Sequence, residues 1–383
     1  MVVANVVPDP RPSGPLLRVL HVAERLREQG YETHIITDES ISSSVLDRAR
    51  EQASDVHLMR LPRIRAPKRI KMNAEFLLSL PWTVMRIDRL IRNIGADVTH
   101  VNGWLTFAPA IASAQAGVPV LWHINDMLVP GPLAIVTKPI VNRYADTIAL
   151  ASKAVGKYFF NNPDKGEVLY SQVDVGKFSP NSPSEDTVES LRSELGVKDG
   201  MYVVGTVGNV SPNKGHDILV EAVPSVLEEH PETVFVIVGD LLDTKQEFHQ
   251  SLLDRAEELG VRSRVVLAGF QTDIPSILSL FDVFAFPSRS EACPQSVLEA
   301  MSMEVPVVAS RTGGIKEQVT DKKDGLLVPV DDADALAAAI NNLLASSAQR
   351  ERLGKKARRT VIERFSIQRC VEKHIELYEK VTK

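Results

Sequence analysis

Two carboxylates, Glu291 and Glu299, close the run Glu-Ala-Cys-Pro-Gln-Ser-Val-Leu-Glu, and their setting suggests a hydroxylated ligand held beside an anion. Ionised carboxylates accept hydrogen bonds, and the hydroxyls of a sugar or ribose supply them. Glu291 falls in a proline-interrupted loop, and Glu299 on a helix expected to begin near Ser296. Backbone N–H groups at such a helix start face an anion. Either acid alone is most simply a solvated charge, so the neighbours decide. Phe281-Asp282-Val283-Phe284-Ala285-Phe286-Pro287-Ser288 reads as a buried parallel strand and its exit turn. After the helix, Val305-Pro306-Val307-Val308-Ala309-Ser310 reads as another strand, opening into Thr312-Gly313-Gly314-Ile315, a glycine pair before a helix. The assembly puts two anion-friendly helix starts on the carboxyl edge of one sheet, where open α/β sheets bind ligands.

A second station is Gly205-Thr206-Val207-Gly208-Asn209-Val210-Ser211-Pro212-Asn213-Lys214-Gly215. Gly208 permits close backbone approach, Ser211-Pro212 is expected to start a helix, and Lys214 in its first turn would be within reach of a diphosphate. The glycine order is that of neither a P-loop nor a dinucleotide fingerprint. A solvated helix lysine is the plainer account of Lys214 taken alone. In the first half, Pro12-Ser13-Gly14-Pro15 is either a phosphate-approach loop or an ordinary βα turn. His123 ends the buried run Leu121-Trp122-His123 and is expected to project from the sheet edge, with Asn102 emerging from the neighbouring strand end. A lone strand-end histidine is more often structural than catalytic.

The elements behind these stations alternate throughout. Short β-branched runs at Val2–Val7, Thr33–Ile36, Val56–Leu61, Val98–Val101, Val118–His123, Thr147–Ala151 and Glu167–Tyr170 form one series. Tyr202–Val207, Val234–Val238, Val265–Leu267, Val283–Phe286, Val305–Ala309 and Leu326–Val328 form another. Amphipathic helical stretches lie between them, the pattern of parallel βαβ units. One such stretch carries Leu16, Leu20, Ala23 and Leu26 on a single face. With 383 residues, two domains are the prior, and Ser179–Ser184 is the clearest linker. Paired α/β domains make a cleft, the usual place for a small-molecule site.

Composition excludes other classes. Cys293 and Cys370 are the only cysteines, so no disulfide framework is expected, and with no Cys/His cluster no structural zinc site. The first residues read as a strand rather than a leader, and the greasiest stretch, Met127 to Val141, is broken by prolines and Lys138, so no membrane span is expected. The net charge of −5 hides a basic first half and an acidic second. Arg60, Arg63, Arg65, Lys68, Arg69 and Lys71, with Phe76-Leu77-Leu78 beyond, fit either an anionic membrane surface or a solvated basic face. Nucleic acid is not expected, since aromatic residues are scarce there and no binding motif is present. Asp332-Ala333-Asp334 directly precedes an alanine-rich helix and reads as a cap, not a metal site.

Together these stations resemble a retaining glycosyltransferase of family 4, an α/β chain of GT-B architecture with two Rossmann-like doubly wound domains facing across a cleft. The similarity spans nearly the whole chain: the turn at Gly14, His100, His123, Val173-Asp174 with Phe178, Gly208 through Lys214-Gly215, Gly239, Gly269, the Glu291-to-Glu299 motif, Gly313-Gly314, Asp324-Gly325 and Phe365. It implies a first domain over residues 1–178, completed by a terminal helix over 365–383 that crosses back to it, and a donor-binding domain over 179–364. It implies transfer of a hexose-type sugar from a nucleoside diphosphate donor, in glycan, polysaccharide or glycolipid biosynthesis. Lys214 and the Gly14 loop would hold the donor diphosphate, Glu291 the donor sugar and Glu299 the ribose hydroxyls. Gly208, Asn209, Gln295, Ser296, Val297 and Gly314 complete the donor set. His123 would stand beside the reacting carbon, with Asn102 on the acceptor side, and His123, Lys214 and Glu291 form the catalytic group. The donor is a co-substrate; no resident cofactor or metal is implied. The acceptor would be a carbohydrate, a lipid-linked glycan or a small molecule, and the enzyme cytoplasmic or peripheral on the inner membrane face.

The chain departs from the family pattern in several places. Asn209 stands where arginine is usual, Tyr170-Ser171-Gln172 replaces Pro-Asn-Gly, and Glu304 replaces a common glycine. A neutral amide hydrogen-bonds a diphosphate without neutralising it. Two rivals therefore stay open: a non-catalytic nucleotide-sugar-binding partner of another transferase, and a GT-B sugar-nucleotide epimerase.

Overall fold

The computed structural model describes residues 1–11, 14–64, 70–127, 129–240 and 246–383. Its chain divides into two compact units, Met1–Ser171 with Ile367–Lys383, and Gln172–Ser366. The first unit runs β1 (Val2–Val7), α1 (Gly14–Glu28), β2 (Glu32–Asp38), α2 (Ser43–Gln52), β3 (Asp55–Met59), α3 (Ile70–Ile94), β4 (Val98–Asn102), α4 (Phe107–Ala116), β5 (Val120–Ile124), α5 (Gly131–Tyr144), β6 (Thr147–Leu150), α6 (Lys153–Phe160) and β7 (Glu167–Val168). The second runs α7 (Glu185–Glu194), β8 (Tyr202–Val207), α8 (His216–Glu229), β9 (Thr233–Val238), α9 (Gln246–Glu258), β10 (Val265–Gly269), α10 (Ile274–Ser279), β11 (Val283–Phe286), α11 (Gln295–Ser302), β12 (Val307–Ser310), α12 (Ile315–Gln318), β13 (Leu326–Val328), α13 (Ala333–Leu344) and α14 (Ser347–Arg364). The last helix, α15 (Ile367–Val381), belongs to the first unit.

Both sheets are parallel and doubly wound. The first has the order β3-β2-β1-β4-β5-β6-β7, the second β10-β9-β8-β11-β12-β13. Each reverses direction beside its first strand, β1 or β8, so the ends of β1 with β4, and of β8 with β11, flank the switch point. All thirteen expected runs are strands, though β7 keeps only two residues. Strands covered on both faces carry unbroken apolar runs, hence β9 (Thr-Val-Phe-Val-Ile-Val) is buried at every position. The edge strand β3 is buried at Met59 alone.

The expected helix stripe holds: Leu16, Leu20, Ala23 and Leu26 of α1 are buried. Helix α15 lays Cys370, Val371, Leu377 and Tyr378 against Val22 and Leu26 of α1 and Val98 and Leu121 of the first sheet. The chain passes between units at Ser171–Gln172 rather than after Phe178. Hydrogen bonds to the backbone of this segment explain the shift. Val173 N–H donates to the Phe365 carbonyl at 2.9 Å, and the Phe178 carbonyl accepts from Ser302 Oγ at 2.6 Å and Arg358 Nη1 at 2.9 Å. The anticipated linker Ser179–Ser184 thus lies inside the second unit, where Ser184 caps α7.

Candidate functional site

In the second unit, two carboxyl strand ends bring the sequence-predicted charges together. Strand β8 leads through Gly208 to a single 3₁₀ turn, Pro212–Lys214, so Lys214 precedes α8 rather than riding in its first helical turn. Gly215 makes that turn possible. Its φ is +68°, and a Cβ there would sit 2.0 Å from the Pro287 carbonyl oxygen. The turn therefore packs directly on the start of the acid loop. Lys214 Nζ lies 2.6 Å from Glu291 Oε1 and 5.0 Å from the Phe286 ring centroid. Ser288 Oγ donates to Glu291 Oε1 at 2.8 Å.

The loop carrying Glu291 is braced by residues that the sequence did not single out. Arg289 forms a two-pronged pair with Asp217, at 2.9 and 2.7 Å, and reaches Asp331 at 2.6 Å. Asn213 Nδ2 donates to the Ser290 carbonyl at 2.9 Å, and Gln318 Nε2 to the Pro294 carbonyl at 2.9 Å. A loop arginine looks solvated in sequence, so nothing flagged Arg289.

Helix α11 begins at Gln295, one residue before the expected Ser296, with Pro294 as a cap that offers no side-chain acceptor to the first-turn amides of Gln295, Ser296 and Val297. Gln295 Nε2 donates to Glu299 Oε1 at 2.9 Å. Glu299 keeps some exposed surface, yet burial pushes its carboxyl up to about 7, against the lowering pull of the Gln295 amide and the Lys177 charge. Asn209 is exposed. The Gly314 N–H, anticipated as an anion donor, is instead taken by the Glu291 carbonyl at 2.9 Å, which ties the glycine loop to the acid loop. Asp332 caps α13 through the Ala335 N–H, as its place before the helix suggested.

The first unit gathers neutral polar groups around the buried Arg18 guanidinium. Gly14 opens α1, while Pro12 and Ser13 of the same turn lie outside the described residues. Asn102, at the end of β4, is buried; its Nδ2 donates to Asn5 Oδ1 at 2.8 Å, and its Oδ1 accepts from Arg18 Nη2 at 3.0 Å. Arg18 also donates to Asn125 Oδ1 at 2.9 Å. Asn5 had left a trace in the sequence, an amide interrupting the apolar run Val2–Val7. His123 does not project from the sheet edge. It is fully buried and sits beside His100, their ring centroids 5.4 Å apart, on the sheet face that α1 and α15 cover. The reason is pleat and register: Asn102 pairs with His123, so the histidine follows Leu121 onto the covered face.

His123 Nδ1 lies 3.3 Å from His100 Nε2, and His100 Nδ1 lies 2.8 Å from the Tyr378 hydroxyl of α15. His123 Nε2 has no hydrogen-bond partner among the described residues. Burial, then the nearby Arg18 charge, holds His123 well below the usual histidine range; burial and His374 do the same to His100. Both rings are neutral at pH 7. Neutral rings of this kind offer hydrogen bonds without adding charge.

Comparisons with known proteins agree with this architecture. Residues 187–360 match the family model described as glycosyl transferases group 1, and residues 13–161 the model described as a glycosyl transferase 4-like domain. Spore coat protein SA of Bacillus subtilis is 33% identical over 313 residues, covering 76% of this chain and 82% of that protein. The UDP-Gal:alpha-D-GlcNAc-diphosphoundecaprenol alpha-1,3-galactosyltransferase of Escherichia coli is 30% identical over 313 residues, covering 77% and 78%. The crystal structure of Anabaena Alr3699/HepE in complex with UDP and glucose has the same fold at a TM-score of 0.84 and 22% identity, over 99% of this chain and 100% of that one.

Proposed function

The chain belongs to the group 1 glycosyl transferases, and from that premise we propose that it moves a hexose-type sugar from a nucleoside diphosphate donor to an acceptor hydroxyl, with retention at the anomeric carbon. One observation carries the reading: Lys214 and Glu291, 77 positions apart, meet at 2.6 Å beyond the ends of β8 and β11. A cation at that point suits a diphosphate, and a carboxylate suits the hydroxyls of the sugar attached to it. Glu299 on α11 then takes the ribose hydroxyls. The name of the Escherichia coli relative specifies a UDP-sugar and a lipid diphosphate acceptor, which favours a donor and acceptor of those classes here.

In this mechanism the bond between the anomeric carbon and the diphosphate oxygen breaks, and its electron pair leaves with the diphosphate. Lys214 and the first-turn amides of α11 stabilise that charge. The acceptor oxygen bonds to the anomeric carbon from the same face, and its proton passes to the departing phosphate oxygen. Lys214 must then share itself between Glu291 and the donor, so donor binding loosens the pair and frees Glu291 for the sugar. No metal enters the scheme. The test is turnover of a panel of nucleotide sugars by Lys214→Ala and Glu291→Ala; rates near wild type in both would remove the assignment.

Asn209 motivates a second reading, a nucleotide-sugar-binding protein that supports another transferase. Nucleotide binding without product, across donor and acceptor panels, would favour it. Free epimerised sugar formed without acceptor would instead mark an epimerase.

We also propose that the enzyme works against an anionic membrane. Helix α3 exposes Leu77, Leu78 and Trp82, at 66%, 79% and 68% of their surface, followed by exposed Arg86 and Arg89. An apolar stripe running into basic residues suits the headgroup boundary. Arg65, Lys68 and Arg69 of the expected basic segment lie outside the described residues, and Phe76 is buried. Among the described residues, no helix is long and apolar enough to cross a membrane. Sedimentation with vesicles that is indifferent to anionic lipid and to Trp82→Glu would count against docking.

A further inference from the structure

Sequence spacing hides a cluster at the edge of the first sheet. Glu32 and His34 lie two apart on β2, and Asp55 and His57 two apart on β3. Residues two apart on a strand share a face. The parallel register sets His34 opposite Asp55 and Ile36 opposite His57, so all four side chains rise on one face. His34 Nδ1 and His57 Nε2 come to 3.0 Å, and His57 Nε2 lies 3.6 Å from Asp55 Oδ2. Among the described residues, this is the one group of three histidine, cysteine, aspartate or glutamate side chains whose ligand atoms lie within 4.8 Å of one another.

We propose that His34, His57 and Asp55 bind one divalent transition-metal ion of the zinc class, with Glu32 orienting His34. Nitrogens 3.0 Å apart can share an ion at about 2.0–2.1 Å from each. Two imidazoles and a carboxylate select zinc-like ions over magnesium or calcium, which take oxygen ligands. The outer contact points the same way. Glu32 Oε1 lies 3.1 Å from His34 Nε2, so Nε2 carries the proton and Nδ1 presents its lone pair to the site, the arrangement that carboxylates impose on metal-bound histidines. Asp55 is oriented too: its Oδ1 accepts from the Val56 N–H at 2.8 Å, leaving Oδ2 for the ion.

Without metal, the His57 Nε2–H fills the space by donating to His34 Nδ1. The ion takes the place of that proton, which moves to His57 Nδ1. A surface cavity of about 440 Å3, lined by His57, Arg86, Arg89 and Asn93 among others, gives a solvent route. The two arginines oppose an incoming cation, and Asp55 and Glu32 offset them. Bound there, the ion clamps the edge strand β3 to β2.

The test uses the full chain without a histidine tag, stripped by chelator and titrated with Zn2+ in a calorimeter, with Co2+ absorption reporting nitrogen coordination. One equivalent should bind, with visible Co2+ bands and a raised Tm. Asp55 and Glu32 are exposed, so Asp55→Ala and Glu32→Ala should fold normally. Glu32→Ala should weaken binding by about 10–100-fold. Asp55→Ala and His57→Gln should lose the Co2+ bands. Absence of stoichiometric binding overturns the proposal, as does wild-type binding by the Asp55→Ala, His57→Gln double variant.

Discussion

The two sheets share a strand order and part company at their carboxyl ends. The first ends on neutral rings and amides around one buried guanidinium: His100 and His123 are in contact, and Asn5, Asn102 and Asn125 are bonded to one another or to Arg18. The second ends on a charge pair, Lys214 with Glu291, and its helix α11 carries a carboxyl whose ionisation is resisted. One scaffold thus supports two kinds of site, and the loops beyond the strands decide which.

The largest expected effect tests the charged end. Lys214→Ala should reduce sugar transfer by about 10²–10³-fold, the usual loss when a donor to developing negative charge is removed. His123→Gln, which keeps a neutral polar group, should cost less. Initial rates at saturating acceptor decide; equal losses from both variants would dissolve the contrast.

How far the contrast was legible depends on sequence distance. The strand runs announced themselves because burial on both faces demands unbroken apolar residues. The Lys214 and Glu291 stations were visible because turn residues and strand ends mark them locally. Their partners were not. Arg289 meets Asp217 across 72 positions, Arg18 meets Asn125 across 107, and His34 meets His57 across 23. Those contacts depend on register and packing, which single-residue patterns do not encode. His123 shows the limit from the other side: its strand was plain, but its covered face was not.

Proton linkage separates the units next. Burial holds His374 of the first unit down to about 4, against a usual histidine value near 6.5. The unfolded chain therefore takes up protons first as pH falls below 6.5, and stability is lost from there towards 4. For His374 that loss is on the order of 3 kcal/mol. Urea unfolding between pH 7 and 4 should show a steep acid limb that His374→Gln flattens. His216, also near 4 through burial and the Lys214 charge, gives the second unit a similar limb. A contrast based on acid lability alone would therefore fail.

Glu299 restores it with the opposite sign. Its carboxyl, raised to about 7, stays protonated in the folded chain while the unfolded one has ionised. Its stabilising effect is present below the ordinary carboxylate range and is lost as pH rises through 7. The loss is up to about 3 kcal/mol, and less in practice because Glu299 retains some solvent contact. Glu299→Gln should stabilise the ligand-free chain above pH 7, measured by urea midpoint, and weaken nucleotide binding there. An unchanged midpoint between pH 6 and 8 would mean that the carboxyl ionises freely.

The smallest effect contrasts helix starts. In the first unit the caps at Ser42, Thr106, Pro130 and Ser152 make no side-chain bond to the helix. In the second, Gly215, Pro294 and Gly314 likewise make none, but Ser184, Asp273, Asp332 and Ser346 each accept from a backbone N–H three residues on. A cap that accepts such a bond is worth about 1 kcal/mol. Asp332→Ala should therefore lower stability by that amount. Ser152→Ala should be close to neutral, because the buried Ser152 hydroxyl has no partner to lose among the described residues and its desolvation is relieved. Matched urea titrations of the two variants settle the point. If Ser152→Ala cost as much as Asp332→Ala, side-chain capping would not be what distinguishes the two sets of helices.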